Sequence, residues 1–396
     1  MVAAMNDEQT EISPFRIAIP DADIESLHQR LSETRWPHAL AGVSWERGVP
    51  QDYLEQLVAY WRDEFDWRAQ EDKLNGFPQF KTMIDGQRIH FLHVRSPEAD
   101  ALPLLITHGY PGSVVEFIDI IGPLSDPRAH GGDPADAFHL VVPSLPGFAF
   151  SAPLQEQGWD SARTARAWVE LMHRLRYERY VAQGGDIGAG VAGMLGALDP
   201  NGVIAVHVNT DPLATALIGD RIGVDLDAFA ATALSPRDQE RVEFLAHYAR
   251  DGKGYLQLQG TRPLSVAYAL TDSPVAQLAW IVEKFKEWTN PATRLPDDAV
   301  DRDQLLTNVS VYWFTRTGAS AANLLYEAAH SSEWLAPSNT PQGWAVFAAD
   351  NVTRGLLDPE RQIEHWSEFE RGGHFAAMEA PDLLVDDVRE YFRQFR

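Results

Sequence analysis

The stretch that decides the fold is Gln183-Gly184-Gly185-Asp186-Ile187-Gly188, which joins an apolar segment, 180–183, to a segment rich in alanine and glycine, 187–198. A turn with glycines two residues before and two after its central residue is typical of the sharp strand-to-helix connection that lifts a nucleophilic side chain above a sheet. An alternative is that Asp186 only caps the helix. The rest of the chain has to decide between these two interpretations.

The segments around this turn repeat a strand-and-helix rhythm. Short apolar runs that end near glycine, proline or histidine lie at 103–107, 138–143, 180–183 and 203–208. Segments of helical periodicity at 162–175 and 187–198 follow two of these runs. Apolar strands that alternate with helices predict a buried, mostly parallel central sheet in an α/β fold.

A helical segment interrupts this rhythm between 211 and 337. Helices are predicted at 236–251, at 274–288 with Ser273 as N-cap, and at 302–315. Strands return at 344–348 and 363–369, and a helix at 381–395 closes the chain. We therefore predict a helical cap domain inserted into the sheet domain. The predicted divisions are an N-terminal region, 1–100, a first core part, 101–210, the cap, 211–337, and a second core part, 338–396.

The N-terminal region mixes short helices with a hairpin. One helix is predicted after Asp21 as N-cap, and a second over about 51–65. A β-hairpin is predicted from 81–84 and 88–94, because the Asp85-Gly86 pair between them suits a type I′ turn.

Two residues downstream of Asp186 decide between nucleophile and helix cap. Asp350 follows the strand at 344–348, and His374 lies between the last strand and the last helix. The order nucleophile, acid, histidine is that of the α/β-hydrolase fold, whose sites lie at the carboxyl ends of strands. We therefore predict that Asp186 is a nucleophile, His374 a base and Asp350 its acid. Asp350 is preferred to three other carboxylates between the nucleophile and the histidine, which are Asp358, Glu360 and Glu364.

A second loop is predicted to supply the oxyanion hole. His108-Gly109-Tyr110-Pro111-Gly112-Ser113 follows the strand at 103–107, where this fold places such a loop. The backbone N–H groups of Tyr110 and Ile187 are expected to face a developing oxyanion. A plain strand-to-loop turn is the alternative.

Composition limits the classes of function. The 396-residue chain has 33 Lys and Arg against 57 Asp and Glu, a formal net charge of −24, and no cysteine. Its acidity argues against nucleic-acid partners, and the absence of cysteine excludes disulfides and thiolate metal sites. It has no signal peptide or apolar span, which predicts a cytoplasmic protein without membrane association. The acidic surface is compatible with a homodimer and does not require one.

An aspartate nucleophile indicates the type of substrate. Attack on an sp³ carbon leaves an ester that activated water can cleave, so epoxides and haloalkanes are the two substrate classes considered. An epoxide oxygen needs acidic O–H donors, whereas a halide needs N–H dipoles, and Ile187 next to the nucleophile supplies no side-chain donor. The cap contains several tyrosines among which spacing does not choose: Tyr248, Tyr255, Tyr268, Tyr312 and Tyr326.

Long motifs give the chain a family resemblance over about 15–395. They are Tyr60-Trp61-Arg62-Asp63-Glu64-Phe65-Asp66-Trp67, Phe80-Lys81-Thr82, Ile89-His90-Phe91-Leu92-His93-Val94, His108-Gly109-Tyr110-Pro111-Gly112-Ser113, Pro143-Ser144-Leu145-Pro146-Gly147-Phe148, Gln183-Gly184-Gly185-Asp186, Asp272-Ser273-Pro274-Val275, Glu283-Lys284-Phe285 and Gly372-Gly373-His374-Phe375-Ala376-Ala377. The chain resembles the microsomal-type epoxide hydrolases without their membrane anchor. The resemblance implies an N-terminal meander that wraps the core and contacts the cap.

The resemblance also implies residue roles. Asp186 matches the nucleophile, His374 the base and Asp350 the acid, while Tyr255 and Tyr326 match the two donors to the epoxide oxygen. It implies conversion of a small-molecule epoxide and water to a vicinal diol, with no cofactor and no metal, in detoxification or in secondary metabolism. The chain departs from the family at Ile187 and Tyr110, where tryptophan is usual. A haloalkane dehalogenase and a non-catalytic binding protein are the alternatives.

Overall fold

The N-terminal region places three helices and a hairpin ahead of the central strands. The computed structural model describes residues 11–38, 40, 42–209, 234–331, 333 and 339–396. After β1 (Ser13–Phe15), helices α1 (Asp21–Ser32), α2 (Gln51–Asp63) and α3 (Trp67–Asn75) precede strands β2 (Gln79–Ile84) and β3 (Gln87–Val94). Asp85 and Gly86 both have positive φ, which confirms the predicted turn.

One N-terminal prediction was wrong in detail. Helix α1 begins at Asp21, and Pro20 occupies the N-cap position without a side-chain hydrogen bond. The Asp21 carboxylate instead accepts a hydrogen bond from Arg68, at the start of α3. The carboxylate that was predicted to cap α1 is therefore bound by a cation from another helix.

The central sheet of the described residues has the order β1-β2-β3-β5-β4-β6-β7-β8-β9. Its remaining strands are β4 (Leu102–Thr107), β5 (Phe138–Pro143), β6 (Tyr180–Gly185), β7 (Val203–Asn209), β8 (Gln342–Val346) and β9 (His365–Glu368). Pairing is antiparallel from β1 to β5 through β3 and parallel from β5 to β9. This is the predicted α/β-hydrolase sheet, and it brings the carboxyl ends of β4, β6 and β8 to one edge.

Helices cover the sheet between the strands. Before the helical segment described below, they are α4 (Ile118–Ser125), α5 (Ser161–Arg174) and α6 (Ile187–Leu198). After β8 they are α14 (Arg354–Leu357), α15 (Ala376–Glu379) and α16 (Pro381–Phe392). Leu195 of α6 and Trp168 of α5 are fully buried. Because helices pack on the faces of the sheet, the apolar residues of its strands are largely buried.

The helical segment after β7 is described from residue 234 onward. It contains α7 (Pro236–His247), α8 (Gly254–Thr261), α9 (Pro263–Asp272), α10 (Pro274–Trp288), α11 (Pro296–Ala299), α12 (Arg302–Thr315) and α13 (Thr317–His330). The bounds of α10 and α12 are those predicted, and the hydroxyl of Ser273 accepts from the N–H of Ala276 as an N-cap does. The predicted helix at 236–251 ends at His247 and continues as a π-helical turn, Tyr248–Gly252. Helices α8, α9 and α13 were not predicted as separate elements.

Helix α2 of the N-terminal region holds α11 and α12 by polar contacts. The hydroxyls of Tyr53 and Tyr60 donate to Asp297 and Asp303, at 3.0 and 2.8 Å. The indole of Trp61, which is fully buried, donates to the Ser310 hydroxyl at 2.9 Å. These contacts join residues about 240 positions apart, and they fix the helical segment over the sheet.

A buried polar cluster ties the last helix to the far edge of the sheet. The Asp387 carboxylate of α16 accepts from Nε2 of His207 on β7 at 2.8 Å and from Nε2 of His365 on β9 at 3.0 Å. The Ser367 hydroxyl donates to the same carboxylate at 2.5 Å. Such direct hydrogen bonds satisfy a buried carboxylate.

Within the described ranges, the helices are too short or too polar to cross a membrane.

Candidate active site

The turn after β6 has the strained geometry of a nucleophile elbow. Asp186 has φ 52° and ψ −123°, which is unfavourable for a residue with a Cβ atom. Its neighbours are glycines because space is lacking: a Cβ at Gly184 would overlap the carbonyl of Gly188, and one at Gly188 would overlap the carbonyl of Thr107. Close packing of β6, α6 and β4 therefore holds the strained residue in place.

The two carboxylate oxygens of Asp186 have different surroundings. Oδ1 accepts a hydrogen bond from the backbone N–H of Tyr110 at 2.7 Å. Oδ2 is buried and has no hydrogen-bond partner among the described residues. Ile187, whose N–H was the other predicted oxyanion donor, is the first residue of α6, where backbone N–H groups lack intrahelical acceptors. Oδ1 thus faces one of the two N–H groups predicted to form an oxyanion hole, while Oδ2 makes no hydrogen bond to a described residue.

Gly109 should tolerate no side chain. A Cβ at this position would overlap Cβ and Oδ1 of Asp186 and lie 2.7 Å from its Cγ. Gly109→Ala should therefore displace the nucleophile and lower kcat by at least about 10²-fold, since small misplacements of reacting groups have effects of that size. Gly190→Ala on α6, where a Cβ meets nothing within 4 Å, is the control and should keep wild-type kcat. Equal activity in both variants would contradict the geometry.

Helix α12 holds the loop 108–113, which was predicted to supply the oxyanion hole and is called the oxyanion loop below. The side-chain amide of Asn308 donates to the carbonyl of Pro111 at 2.9 Å and accepts from the hydroxyl of Ser113 at 2.7 Å. The hydroxyl of Tyr312 donates to the carbonyl of Gly112 at 2.9 Å. Tyr312, one of the five cap tyrosines considered from sequence, therefore holds this loop with its hydroxyl.

His374 lies beside the nucleophile in a dry environment. Burial lowers the pKa of its imidazole below the usual 6.5, and the negative charge of Asp186 and the backbone of Tyr110 oppose that shift. Its ring centroid is 4.8 Å from that of Trp288, and the backbone N–H of His374 donates to the Trp288 carbonyl at 3.0 Å. Asp186, the predicted nucleophile, therefore influences the pKa of His374, the predicted base.

Asp350 occupies the loop after β8, next to the loop that carries the histidine. Its Oδ2 accepts from the N–H of Phe347 at 2.7 Å, while Oδ1 is buried without a hydrogen-bond partner among the described residues. Burial raises the pKa of this carboxyl well above its usual range. The two loops are joined by the N–H of Ala349, which donates to the carbonyl of Gly372 at 3.1 Å.

The three competing carboxylates have other environments. Asp358 accepts from the backbone N–H groups of Gln362 and Ile363, at 2.7 and 3.1 Å, and pairs with Arg354. Glu360 and Glu364 are exposed. Neither a fully engaged carboxylate nor an exposed one suits an acid that must orient a buried histidine, so Asp350 keeps its preference.

Tyr255 on α8 lies over the oxyanion loop. Its ring, with 5% of the residue exposed, is parallel to the ring of Tyr110 at a centroid distance of 6.1 Å. It meets the ring of Trp288 edge-on at 5.4 Å. Since Trp288 also contacts His374, its ring connects Tyr255, a predicted donor to the epoxide oxygen, with the predicted base.

Tyr326 on α13 is not brought into the same contact. The residue is half-buried, and its ring stacks on His330 of its own helix with centroids 4.0 Å apart. Within the part of the chain that the structure describes, no hydrogen bond joins its hydroxyl to Tyr255 or to the nucleophile. Tyr268, also considered from sequence, is 74% exposed and lies on the surface.

Three further polar residues near the site received no role from sequence. The hydroxyl of Tyr248 lies 3.2 Å from that of Tyr255, and the Lys284 ammonium lies 4.5 Å from the centre of the Tyr255 ring. Burial raises the pKa of Glu116 well above its usual range, and its carboxyl fills the space over Gly112. Two signals in the sequence pointed to this group: Tyr248 was one of the five tyrosines considered as donors, and Lys284 lies in the motif Glu283-Lys284-Phe285.

Comparisons with known proteins agree with this geometry. The family model described as "Epoxide hydrolase N terminus" matches residues 12–117, and that of the alpha/beta hydrolase fold matches 103–217. A Stigmatella aurantiaca protein named for epoxide hydrolase activity is 45% identical over 97% of this chain and 86% of its own. Epoxide hydrolase 1 of Oryctolagus cuniculus is 35% identical over 97% of this chain and 89% of its own. The chain belongs to the epoxide hydrolase family.

Solved structures of the epoxide hydrolase family share the fold over its full extent. Juvenile hormone epoxide hydrolase from Bombyx mori superposes with a TM-score of 0.81 at 28% identity, over 100% of this chain and 97% of that one. The epoxide hydrolase of Aspergillus niger gives a TM-score of 0.80 at 29% identity, with 98% of each chain covered. The predicted family and fold are therefore confirmed, and the roles of individual residues stay predictions.

Proposed function

We propose that this chain hydrolyses small-molecule epoxides to vicinal diols through an ester on Asp186. The observation that carries the proposal is the asymmetry of the Asp186 carboxylate, with Oδ1 bound by the N–H of Tyr110 and Oδ2 buried without a described partner. In the first step, Oδ2 attacks an epoxide carbon and forms a C–O bond as the ring C–O bond breaks. The ring oxygen takes a proton from a cap tyrosine, for which Tyr255 and Tyr326 are proposed.

Water cleaves the ester in the second step. His374 accepts a proton from a water molecule, whose oxygen adds to Cγ of Asp186. Negative charge then develops on Oδ1, which already faces the N–H of Tyr110 and would also face that of Ile187. The bond between Cγ and Oδ2 breaks, so the diol leaves with Oδ2 and takes up the proton that His374 accepted. The carboxyl group left on Asp186 loses its remaining proton to solvent, and a proton from solvent restores the tyrosine that protonated the ring oxygen. Asp350 is proposed to orient His374. Neither step changes an oxidation state, so the proposed chemistry uses no redox cofactor.

The tyrosines are expected to act on the first step alone. Tyr255→Phe and Tyr326→Phe should each slow alkylation by about tenfold or more, and the double variant by more than about 10²-fold, the usual range for general acids. Burst kinetics with the epoxide in a single turnover measure this step. Ester hydrolysis should keep its wild-type rate, because no phenol takes part in it. A double variant with full alkylation rate would remove both tyrosines from the mechanism.

Hydrolysis should persist into mildly acidic solution. A general base works when neutral, and burial lowers the pKa of His374 below 6.5, so less of it is protonated at a given acidic pH. Formation of the ester removes the Asp186 charge that opposes this shift, which should lower the pKa further. The acid limb of the hydrolysis rate, measured on the ester intermediate, is therefore expected below pH 6.5. A limb at or above that value would contradict a buried base.

The reaction class is tested with a panel of aryl and alkyl epoxides and a matched panel of haloalkanes. Diol from the epoxides without halide release supports the proposal. Halide release without diol would favour a dehalogenase, although Ile187 offers no side-chain N–H to a halide.

The domain divisions at 1–100, 101–210, 211–337 and 338–396 stay predictions, as do the cytoplasmic location and the homodimer.

A further inference from the structure

Two buried hydroxyls meet beside the site. Tyr248 begins the π-helical turn Tyr248–Gly252, and its hydroxyl lies 3.2 Å from that of Tyr255. Only 2% of Tyr248 and 5% of Tyr255 is exposed. A Cβ at Gly252 would overlap the Tyr248 ring, so the turn is shaped around that ring. π-helical turns within α-helices are frequent at functional sites.

A buried cation lies close to the ring of Tyr255. The Lys284 ammonium of α10 is 4.5 Å from the ring centroid, and 2% of the residue is exposed. Glu283 and Glu287 each bind this ammonium at 2.8 Å. The side chains of both glutamates are partly exposed, so water reaches their carboxylates while they bind the ammonium.

The direction of the hydroxyl hydrogen bond follows from the chemistry of epoxide opening. If Tyr255 directs its own hydrogen to the epoxide oxygen, the 3.2 Å contact can be made only with Tyr248 as donor. Negative charge then develops on the Tyr255 oxygen as its hydrogen moves to the epoxide. A donor on that oxygen and a cation beside the ring both stabilise the charge.

We propose that Tyr248 and Lys284 are positioning residues that make Tyr255 a stronger acid in epoxide opening. Tyr248 does so through its hydrogen bond and Lys284 through its charge. The proposal rests on the proposed role of Tyr255. It concerns residues that need not touch the substrate, and it assigns the Glu283-Lys284-Phe285 motif a role in the first chemical step.

The experiment separates alkylation from ester hydrolysis in single turnovers of the full chain with styrene oxide. Lys284→Met and Tyr248→Phe are the test variants, and each should slow alkylation by about tenfold. Lys286→Met on the same helix and Tyr268→Phe on the exposed face of α9 are matched controls that should leave it unchanged. Lys284→Arg keeps the charge and should restore most of the lost rate.

A Tyr255→Phe background isolates the mechanism. If Tyr248 and Lys284 act through the Tyr255 hydroxyl, adding Tyr248→Phe or Lys284→Met to Tyr255→Phe should have no further effect on alkylation. Equal slowing of alkylation and hydrolysis, unchanged alkylation in the test variants, or additive effects in the background would overturn the inference. Full alkylation by Tyr255→Phe alone would instead reject the proposed role of Tyr255, and with it this inference.

Discussion

Replacing Asp186 by alanine is expected to abolish diol formation, with a loss of at least about 10⁴-fold in kcat, as for the loss of other covalent nucleophiles. In the proposed first step the nucleophile is Oδ2 of Asp186. Alanine at this position has no nucleophilic group to replace it. The measurement is diol formation from the epoxide panel. Asp386→Ala, at a carboxylate with 79% of its side chain exposed, is the control.

An isotope experiment tests the same residue without a mutation. In H₂¹⁸O, a single turnover should place the label in Asp186 and none in the diol, because the diol leaves with Oδ2. Mass spectrometry of the peptide that contains 183–188 measures this label. Label in the first-turnover diol would mean that water attacks the epoxide directly, and Asp186 would then not be a nucleophile.

Replacing His374 by glutamine should stop the enzyme at the ester. Alkylation does not use the base, whereas hydrolysis loses its general base and should slow by about 10²–10⁴-fold. The intact protein should therefore gain the mass of one epoxide molecule, and that adduct should persist after excess substrate is removed. The variant is informative because it separates the two steps that Asp186→Ala removes together.

Two further variants make the result specific. His173→Gln, at a histidine with 53% of its side chain exposed, should turn over normally and show no adduct. In the double variant Asp186→Ala with His374→Gln, no adduct should form. An adduct that maps to another residue, or a His374→Gln variant that releases diol at the wild-type rate, would contradict the assignment of the base.

Local patterns predicted the elements whose signals are strong in sequence. Ser273-Pro274 placed the start of α10 at the observed residue, and Asp85-Gly86 placed the hairpin turn, because caps and type I′ turns depend on a few adjacent residues. Asp21 is the first residue of α1 and not its N-cap, and its carboxylate accepts a hydrogen bond from Arg68, which is distant in sequence. Helices α8, α9 and α13 were missed, since their packing against one another rather than a clear local pattern defines them.

The cap tyrosines illustrate what spacing could not decide. Five were considered, and their side chains have different environments: Tyr312 binds the oxyanion loop, Tyr268 is exposed, and Tyr248 contacts Tyr255. Each lies on a different helix or turn, so the arrangement of the helices determines which hydroxyl lies near the nucleophile. The resemblance to a family selected Tyr255 and Tyr326, and the structure brings Tyr255 alone to the ring of Tyr110.

The sequence by itself determined the fold class and the elbow at Asp186, and it predicted the order of nucleophile, acid and histidine. It could do so because a G-x-D-x-G turn, apolar strands and chain order are local or sequential properties. Tertiary structure alone decided that Oδ1 faces the N–H of Tyr110, that Oδ2 is buried without a described partner, and that Lys284 and Tyr248 both contact Tyr255. Those facts depend on contacts between residues distant in the chain, whose distances and burial no local pattern encodes.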